Sequence, residues 1–367
     1  MRAVIAGGGV AGAAVACLLG PDALLVEREA AAHDKVCGEF LSWEAQAYLA
    51  RLGLDLAALS PAVIHSVRLV HGARSAAARL PFTALGLSRR VLDEALLQRA
   101  GQAGAILLRG HAVCGVRQHE VDVAGHGRIR ARSVFLATGK HDLRGVRRTP
   151  ARPPENLVGL KMYFRLHPRQ QAALDGHIEV LLFQGGYAGL QLVESGRANL
   201  CLLMDHARFT AAGRSWAGVQ DSLVRECPHL ADRLLGATLL LAQPLSIFRV
   251  PYGFVHAPGP ADLPGLFRLG DQVGVIPSFC GDGVSIALHS AFAAVAACRA
   301  EGAAGYHQAM RRDLVGQIGR ASALYRLGRA SPRLVTMAAQ TWPGALRWIA
   351  RLTRVPSAAL KGIASAP

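Results

Sequence analysis

The segment that most constrains this chain is Met1–Arg28. Ala3-Val4-Ile5-Ala6 is an apolar run with the length of a buried strand, and Gly7-Gly8-Gly9-Val10-Ala11-Gly12 follows without a spacer, so Gly7, Gly9 and Gly12 spell G-x-G-x-x-G. Ala13–Leu19 is small, apolar and rich in helix formers, and Leu24-Leu25-Val26 reads as a second strand closed by Glu27. Strand, glycine turn, helix, strand and acid make the pattern of a dinucleotide-binding βαβ unit. Gly7 allows the tight turn, Gly9 lets the backbone approach a pyrophosphate, and Gly12 lets helix and strand pack closely. Val10 and Ala11 then present free N–H groups at the positive end of the helix dipole. Glu27 lies twenty residues beyond Gly7, where a carboxylate can accept hydrogen bonds from a ribose, with Arg28 next to it. Two plainer readings compete, a cleaved leader and a glycine turn without a ligand. Four glycines in the apolar stretch argue against the leader.

The 367 residues suffice for two domains or one large one, and at 51% hydrophobic content the chain is globular rather than disordered. The formal charge is +16, unevenly spread. From residue 301 onward ten Arg and Lys face only Glu301 and Asp313, a net +8. A basic excess suits nucleic acid, an anionic membrane or acidic substrates. This one lacks aromatic interleaving and any DNA-binding motif, which excludes nucleic acid as the expected partner. The seven cysteines are scattered, odd in number and without a C-x-x-C pair, the usage of reduced thiols in a cytoplasmic protein. The fourteen histidines form no metal-binding spacing, so no metal is expected. No apolar run reaches the length of a membrane span; Val284–Arg299 reads as a buried core helix.

Further along, Lys35-Val36-Cys37-Gly38-Glu39-Phe40-Leu41-Ser42 leads into a helical stretch from Trp43 to Leu52. Val63–His71 alternates with period two and pairs with Arg79–Phe82, and Ser88 caps a helix that opens at Arg89. Ala105–Leu108 and Ala112–Val116 read as strands, and Glu120–Val123 with Arg128–Ala131 as a hairpin. Ser133–Leu136 is a strand ending in Ala137-Thr138-Gly139. A Pro/Arg-rich crossing at Thr149–Pro154 precedes an antiparallel block, Leu157–Leu166, Ile178–Phe183, Tyr187–Val193 and Ala198–Met204. Ser215–Leu235 is helical with a break near Pro228, and Pro244–His256 is extended. Gly265–Asp271 is a strand ending in Gly-Asp, and beyond residue 301 the chain is helical, punctuated at Pro332, Pro343 and Pro356.

With these segments in hand, the chain resembles the FAD-dependent oxidoreductases of the aromatic-hydroxylase type, a group that includes monooxygenases, geranylgeranyl reductases and flavin halogenases. The likeness covers roughly residues 1 to 300. Gly270-Asp271, Pro277 and Gly281-Asp282-Gly283-Val284 resemble the family's G-D-x-x-x-x-x-P-x-x-G-x-G loop and helix. The resemblance implies that Asp271 holds the FAD ribityl chain and that the loop and helix N-terminus face pyrophosphate and flavin. Ser88-Arg89-x-x-Leu92-Asp93 resembles the family helix whose Arg lies near the FAD phosphates, which makes Arg89 the phosphate candidate. Gly139 belongs to the strand-end turn on the same site. Lys35-x-Cys37-Gly38-Glu39-x-Leu41-Ser42 resembles the cysteine-glycine segment beside the flavin in the geranylgeranyl-reductase branch.

Cys37 and Glu39 are the catalytic candidates, Cys37 as a redox group or proton donor and Glu39 as a general acid or base. A packed thiol and a solvated loop carboxylate are the alternatives. The resemblance implies an α/β fold: a discontinuous Rossmann-like FAD domain (1–62, 83–150 and 262–300), an inserted antiparallel-sheet substrate domain (63–82 and 151–261) and a C-terminal helical region (301–367). It implies FAD as cofactor and NAD(P)H as electron donor, with no separate NAD(P)H domain because no second glycine motif follows a strand. The function expected is monooxygenation of a hydrophobic, aromatic or polyketide-like molecule by way of a flavin hydroperoxide. Reduction of a carbon–carbon double bond in an isoprenoid or lipid, and a non-redox flavin-binding protein or cyclase, are the alternatives. Three departures stand out: Gln272-Val273 replace the usual alanines after Gly-Asp, the tryptophan-pair motif of halogenases is absent, and so is a clear D-G segment between the nucleotide motifs. The basic C-terminal helices either pack on the substrate domain, cover a substrate tunnel, or lie peripherally on an anionic membrane.

Overall fold

The structure is a computed structural model that describes residues 3–149, 155–300, 302–342 and 344–355. Most of the expected crossing at Thr149–Pro154, and Pro343 and Pro356, lie outside these residues.

The first sheet has five parallel strands in the order Leu266–Arg268, Ser133–Leu136, Ala3–Ala6, Ala23–Glu27 and Ile106–Arg109. Every residue of the first four is buried. Parallel strands covered on both faces carry continuous apolar runs instead of alternation, which is why Ala3–Ala6 and Ser133–Leu136 are readable as runs. The helices Val10–Leu19, Arg89–Gln102 and Gly283–Arg299 share one hydrophobic core with the sheet. Ser88 caps the second of them, its Oγ accepting from Val91 N at 3.3 Å. From Ala3–Ala6 the chain moves to one side through Val10–Leu19. It reaches the other side of that strand only at Ser133, so the topological switch point lies between these two strands at their C-terminal ends.

The second sheet has nine strands. Gly176–Phe183, Gly186–Leu192 and Ala198–Asp205 pair antiparallel in chain order, and Leu157–Arg165 pairs antiparallel with Ala198–Asp205. The sheet is mixed, however: Gly176–Phe183 lies parallel to Ala62–His71, with Ile178 beside Val67. These two strands are separated by the whole middle of the nucleotide domain, and only such a long crossover brings parallel neighbours together. Arg74–Gly86 spans thirteen residues, far beyond the expected Arg79–Phe82, and pairs with Ala62–His71. Val113–Arg117 joins the Glu120–Val123 hairpin in a separate three-stranded sheet. The helices Pro168–Leu174 and His206–Ala211, seven and six residues long, carry too little periodicity to be read from sequence.

One face of the second sheet packs on Trp216–Glu226 and Pro228–Leu234. There Glu179 is fully buried and accepts hydrogen bonds from His229 Nε2 (2.9 Å), Arg233 Nη2 (2.9 Å) and Arg68. Burial alone would raise its carboxyl, but the bonds from His229 and Arg233 hold it down at about 2. The depressed value means that its stabilisation is present above the unfolded pKa near 4.5 and is lost as pH falls through about 2. That difference corresponds to about 3 kcal/mol. Glu179→Gln is therefore expected to unfold more easily at neutral pH and to show a flatter acid limb between pH 5 and pH 2. Urea midpoints measured across that range check it, and an acid limb parallel to the parent's would refute it.

A 29-residue helix, Gly302–Ala330, packs on Gly283–Arg299. Pro332–Thr341 and Gly344–Leu352 then cross the other face of the second sheet over Ala62–His71 and Arg74–Gly86. Among the described residues no helix is long and apolar enough to cross a membrane.

Candidate functional site

Gly7 has φ +108°, and a Cβ there would lie 2.5 Å from the Ala137 carbonyl oxygen; at Gly12 it would lie 1.9 Å from the Gly7 carbonyl oxygen. Both positions therefore require glycine for close approach of turn, helix and neighbouring strand. Gly9 caps the helix Val10–Leu19 without any side-chain cap. The first N–H groups of that helix consequently lack partners within it. Gly7, Gly9, Val10 and Ala11 line a cavity of about 890 Å³ that begins at the switch point.

Two cations stand over this turn. A Cβ on Gly9 would be 3.2 Å from Arg89 Nη2 and 3.7 Å from Lys35 Nζ. Arg89 holds Asp93 through Nε and Nη2 at 2.7 and 2.8 Å, and Lys35 Nζ donates to the same carboxylate at 2.8 Å. Burial pushes Asp93 up, but Arg89 and Lys35 outweigh it and keep the carboxyl below its ordinary range. The sequence singled out Arg89 but not Lys35 as a phosphate group, since Lys35 sits 58 positions from its partner with no local signal. Glu27 ends its strand with Oε2 accepting from Gly8 N at 2.5 Å and Oε1 from Glu29 N at 3.0 Å. Each oxygen retains acceptor capacity for a ribose hydroxyl. The Arg28 side chain lies at the cavity rim with Nη2 3.4 Å from His141 Nε2. Uncapped helix amides, two cations and an acid at this spacing suit a dinucleotide.

At the other side of the switch point the turns 138–141 and 270–272 meet. Gln272 Nε2 donates to the carbonyls of Gly139 (2.8 Å) and His141 (3.0 Å), so this departure from the alanine pattern clamps the two turns together. The Asp271 carboxylate lines the cavity with Lys140 Nζ 3.9 Å away. Burial works against the charge on Lys140, but Asp271 raises its pKa above the ordinary value. Gly139, Gly281, Gly283 and Val284 also line the cavity, and a Cβ on Gly281 would strike the Phe40 ring at 2.6 Å. Two expected ligand residues are placed otherwise. Asp282 is fully buried with its carboxylate turned to Arg354 (3.1 Å) and Gln317, away from the cavity. Pro277 opens the tight turn Ser278–Cys280 and does not line the cavity.

Residues 37–39 are held from the second sheet. Asn199 Nδ2 donates to the carbonyls of Cys37 (3.1 Å) and Gly38 (3.0 Å), and Gln191 Nε2 to that of Glu39 (2.8 Å). Glu39 is not a solvated loop carboxylate. It is buried with φ 61° and accepts from Lys161 Nζ, from Tyr163 Oη at 2.7 Å and from Arg89 N at 2.8 Å. Lys161 is itself fully buried and also donates to the Lys35 carbonyl at 3.0 Å. Burial pushes the Glu39 carboxyl up, against the pull of Lys161. Cys37 and Gly38 line the cavity, and so does Cys201 on the sheet, whose thiol burial pushes up to about 12. All seven cysteines are free.

Beyond Gly281 the cavity continues between the second sheet and the C-terminal helices. Tyr187 Oη lies 2.7 Å from Ser278 Oγ and 3.2 Å from Tyr252 Oη, and Tyr252 also reaches Ser278. Around this hydroxyl cluster the walls are apolar, among them Leu69, Val180 and Leu182 from the sheet and Val335, Leu346 and Ile349 from the helices. None of the four tryptophans lines the cavity. Elsewhere the fold gathers His256 and Asp262 from one loop with His307 from the helix Gly302–Ala330, a grouping that sequence spacing does not reveal because His307 lies 45 positions beyond Asp262. Their polar atoms are used internally: His256 Nε2 meets Asp262 Oδ2 at 3.0 Å, and His307 Nε2 accepts from Arg268 N at 3.2 Å.

No protein-family model matches the chain, and no curated protein matches it by sequence. Solved structures do. The flavin-dependent brominase Bmp2 superimposes with a TM-score of 0.77 at 16% identity, covering 96% of this chain and 92% of its own. The myxobacterial chondrochloren halogenase CndH gives 0.72 at 17% identity, with 99% and 95% covered. Halogenase PltM, in a complex with phloroglucinol and FAD, gives 0.69 at 12% identity, with 99% and 89% covered. The chain thus has the fold of these proteins: a Rossmann-like parallel sheet, a separate largely antiparallel sheet and C-terminal helices.

Proposed function

We propose that this chain is an FAD-dependent oxidoreductase acting on a hydrophobic, aromatic or polyketide-like small molecule, with hydroxylation as the reaction. The observation that carries the reading is the continuity of the cavity. It runs from Gly9 and Glu27, past Asp271 and Gly281–Val284, into an apolar chamber holding the Tyr187–Tyr252–Ser278 hydroxyls. The adenosine ribose would be held by Glu27, the pyrophosphate by the Val10 and Ala11 amides with Lys35 and Arg89, and the ribityl chain by Asp271. Bound there, FAD would supply two-electron redox chemistry and oxygen activation, with NAD(P)H as donor. The protein's own groups do the rest. The apolar walls exclude water, and the hydroxyl cluster orients a polar atom of the substrate. The shared fold of flavin-dependent halogenases supports the cofactor. Halide chemistry is disfavoured by the missing tryptophan pair, since no tryptophan reaches the cavity.

Double-bond reduction remains the second reading because Cys37 and Gly38 line the cavity as the reductase-like segment would require. A non-redox flavin protein is the third, and bound FAD that NADH and NADPH leave unreduced would favour it. Purified protein is expected to be yellow, and Asp271→Ala to weaken FAD binding by about tenfold, the scale of one lost hydrogen bond to a charged group. Flavin absorbance after dialysis checks both, and a colourless parent that takes up no FAD would end the flavin reading. Oxygen uptake with NAD(P)H and lipophilic aromatics then separates the reactions. Turnover under strict anaerobiosis to a saturated product would overturn hydroxylation.

A further inference from the structure

Residues 302–355 contain nine arginines and one acid, Asp313, whose carboxylate is engaged by His289 Nε2 at 3.1 Å. Arg329 and Arg354 are turned to Glu155, Asp205 and Asp282; the other seven arginines are exposed. The same segment supplies half of the large apolar side chains that the described residues expose: Val315, Leu327, Leu334, Met337, Trp342 and Trp348. Each of the last two helices therefore has two faces. In Gly344–Leu352, Leu346 is buried and lines the cavity while Arg347, Trp348 and Arg351 face outward. In Pro332–Thr341, Val335 and Ala339 line the cavity while Arg333, Leu334 and Met337 face outward. Leu327 and Ala338 are both exposed and part of the cavity lining, so the apolar chamber reaches the surface on this face.

We propose that this outer face docks peripherally on an anionic lipid bilayer and that apolar substrate enters the chamber from it. Tryptophan and arginine side chains combine an apolar body with a polar or charged tip, which suits them to the boundary between headgroups and acyl chains. Arginine forks match lipid phosphates, and among the described residues of this segment no exposed carboxylate opposes them. A second copy of the chain docked through the same face is a poor occupant, because it would set Arg333, Arg347 and Arg351 against their own counterparts. Docking stands independently of the catalytic reading; the entry route rests on it.

The test is co-sedimentation of the full holoprotein with vesicles of phosphatidylcholine, with and without phosphatidylglycerol, following flavin absorbance in the same fractions. The parent is expected to partition at least about tenfold more strongly onto the anionic vesicles and to be released by salt. Trp342→Ser/Trp348→Ser and Arg347→Glu/Arg351→Glu, none of whose side chains lines the cavity, are each expected to weaken partitioning by about tenfold with flavin content unchanged. A parent that stays in the supernatant, as monomer or self-associated, overturns the proposal, and so do variants that bind as well as the parent. A parent that sediments without flavin absorbance keeps the docking inference and sinks the cofactor reading instead.

Discussion

Lys161→Met is expected to destabilise the protein by about 3–5 kcal/mol, the cost of leaving one partner of a buried ion pair without its counter-charge. Lys161 and Glu39 are both buried where the 35–42 segment meets the second sheet, and Lys161 Nζ bonds the Glu39 carboxylate, Tyr163 Oη (2.8 Å) and the Lys35 carbonyl (3.0 Å). Removing the ammonium leaves a carboxylate whose pKa burial already raises. A carboxyl with a raised folded pKa binds its proton more tightly in the folded state, so its folded form gains as pH falls and loses as pH rises. The deficit of Lys161→Met should therefore be larger at pH 8 than at pH 5. Adding Glu39→Gln should recover part of it at pH 8, because the orphaned charge is gone. Urea denaturation of the two variants at both pH values measures this. A deficit below about 1 kcal/mol, within the range of an exposed ion pair, would mean that the pair is solvated.

Gly12→Val is the second large effect. Its Cβ would sit 1.9 Å from the Gly7 carbonyl oxygen and 3.1 Å from the Ala137 side chain, so the helix Val10–Leu19 would have to move off the turn that it supports. The expected loss is at least about 4 kcal/mol, in the tail of single-substitution effects, together with flavin binding. Gly319→Val is the matched control: it lies in the helix Gly302–Ala330, is exposed and outside the cavity lining, and a Cβ there meets nothing within 4 Å. It should retain both fold and flavin. Soluble yield and flavin absorbance read the pair, and a Gly12→Val protein that stays folded and yellow would contradict the close packing of turn and helix.

Local pattern carried much of this protein into view. The nucleotide turn was legible because its glycines recur at a fixed local spacing, although the contact that requires glycine at position 7 is with Ala137 on a distant strand, and the strand runs because burial on both faces leaves them continuously apolar. The short links Gln184-Gly185-Gly186 and Glu194-Ser195-Gly196 between the antiparallel strands carry glycine where the backbone is left-handed, Gly185 at φ +77° and Gly196 at φ +66°. The outcome at Glu39 shows where local pattern stops. Nothing in Cys37-Gly38-Glu39 says whether its carboxylate meets water or an ammonium 122 positions away. The parallel pairing of Gly176–Phe183 with Ala62–His71 was hidden for the same reason, since pairing partners leave no trace in the alternation of either strand.

Asp282 and Asp271 mark the division most clearly. Both stand in the same glycine-rich loop and both read as cofactor residues. Tertiary packing leaves Asp271 lining the cavity and turns the Asp282 carboxylate to Arg354, because the segment just past the helix Gly344–Leu352 brings that arginine against the loop. By itself the sequence determined the elements and the dinucleotide turn, because periodicity and glycine placement are local requirements. Only the tertiary structure decided which charges face the ligand, which neutralise each other in the interior, and that the C-terminal helices wall the chamber. Those outcomes depend on the distance between groups far apart in the chain and on how completely the fold removes them from water.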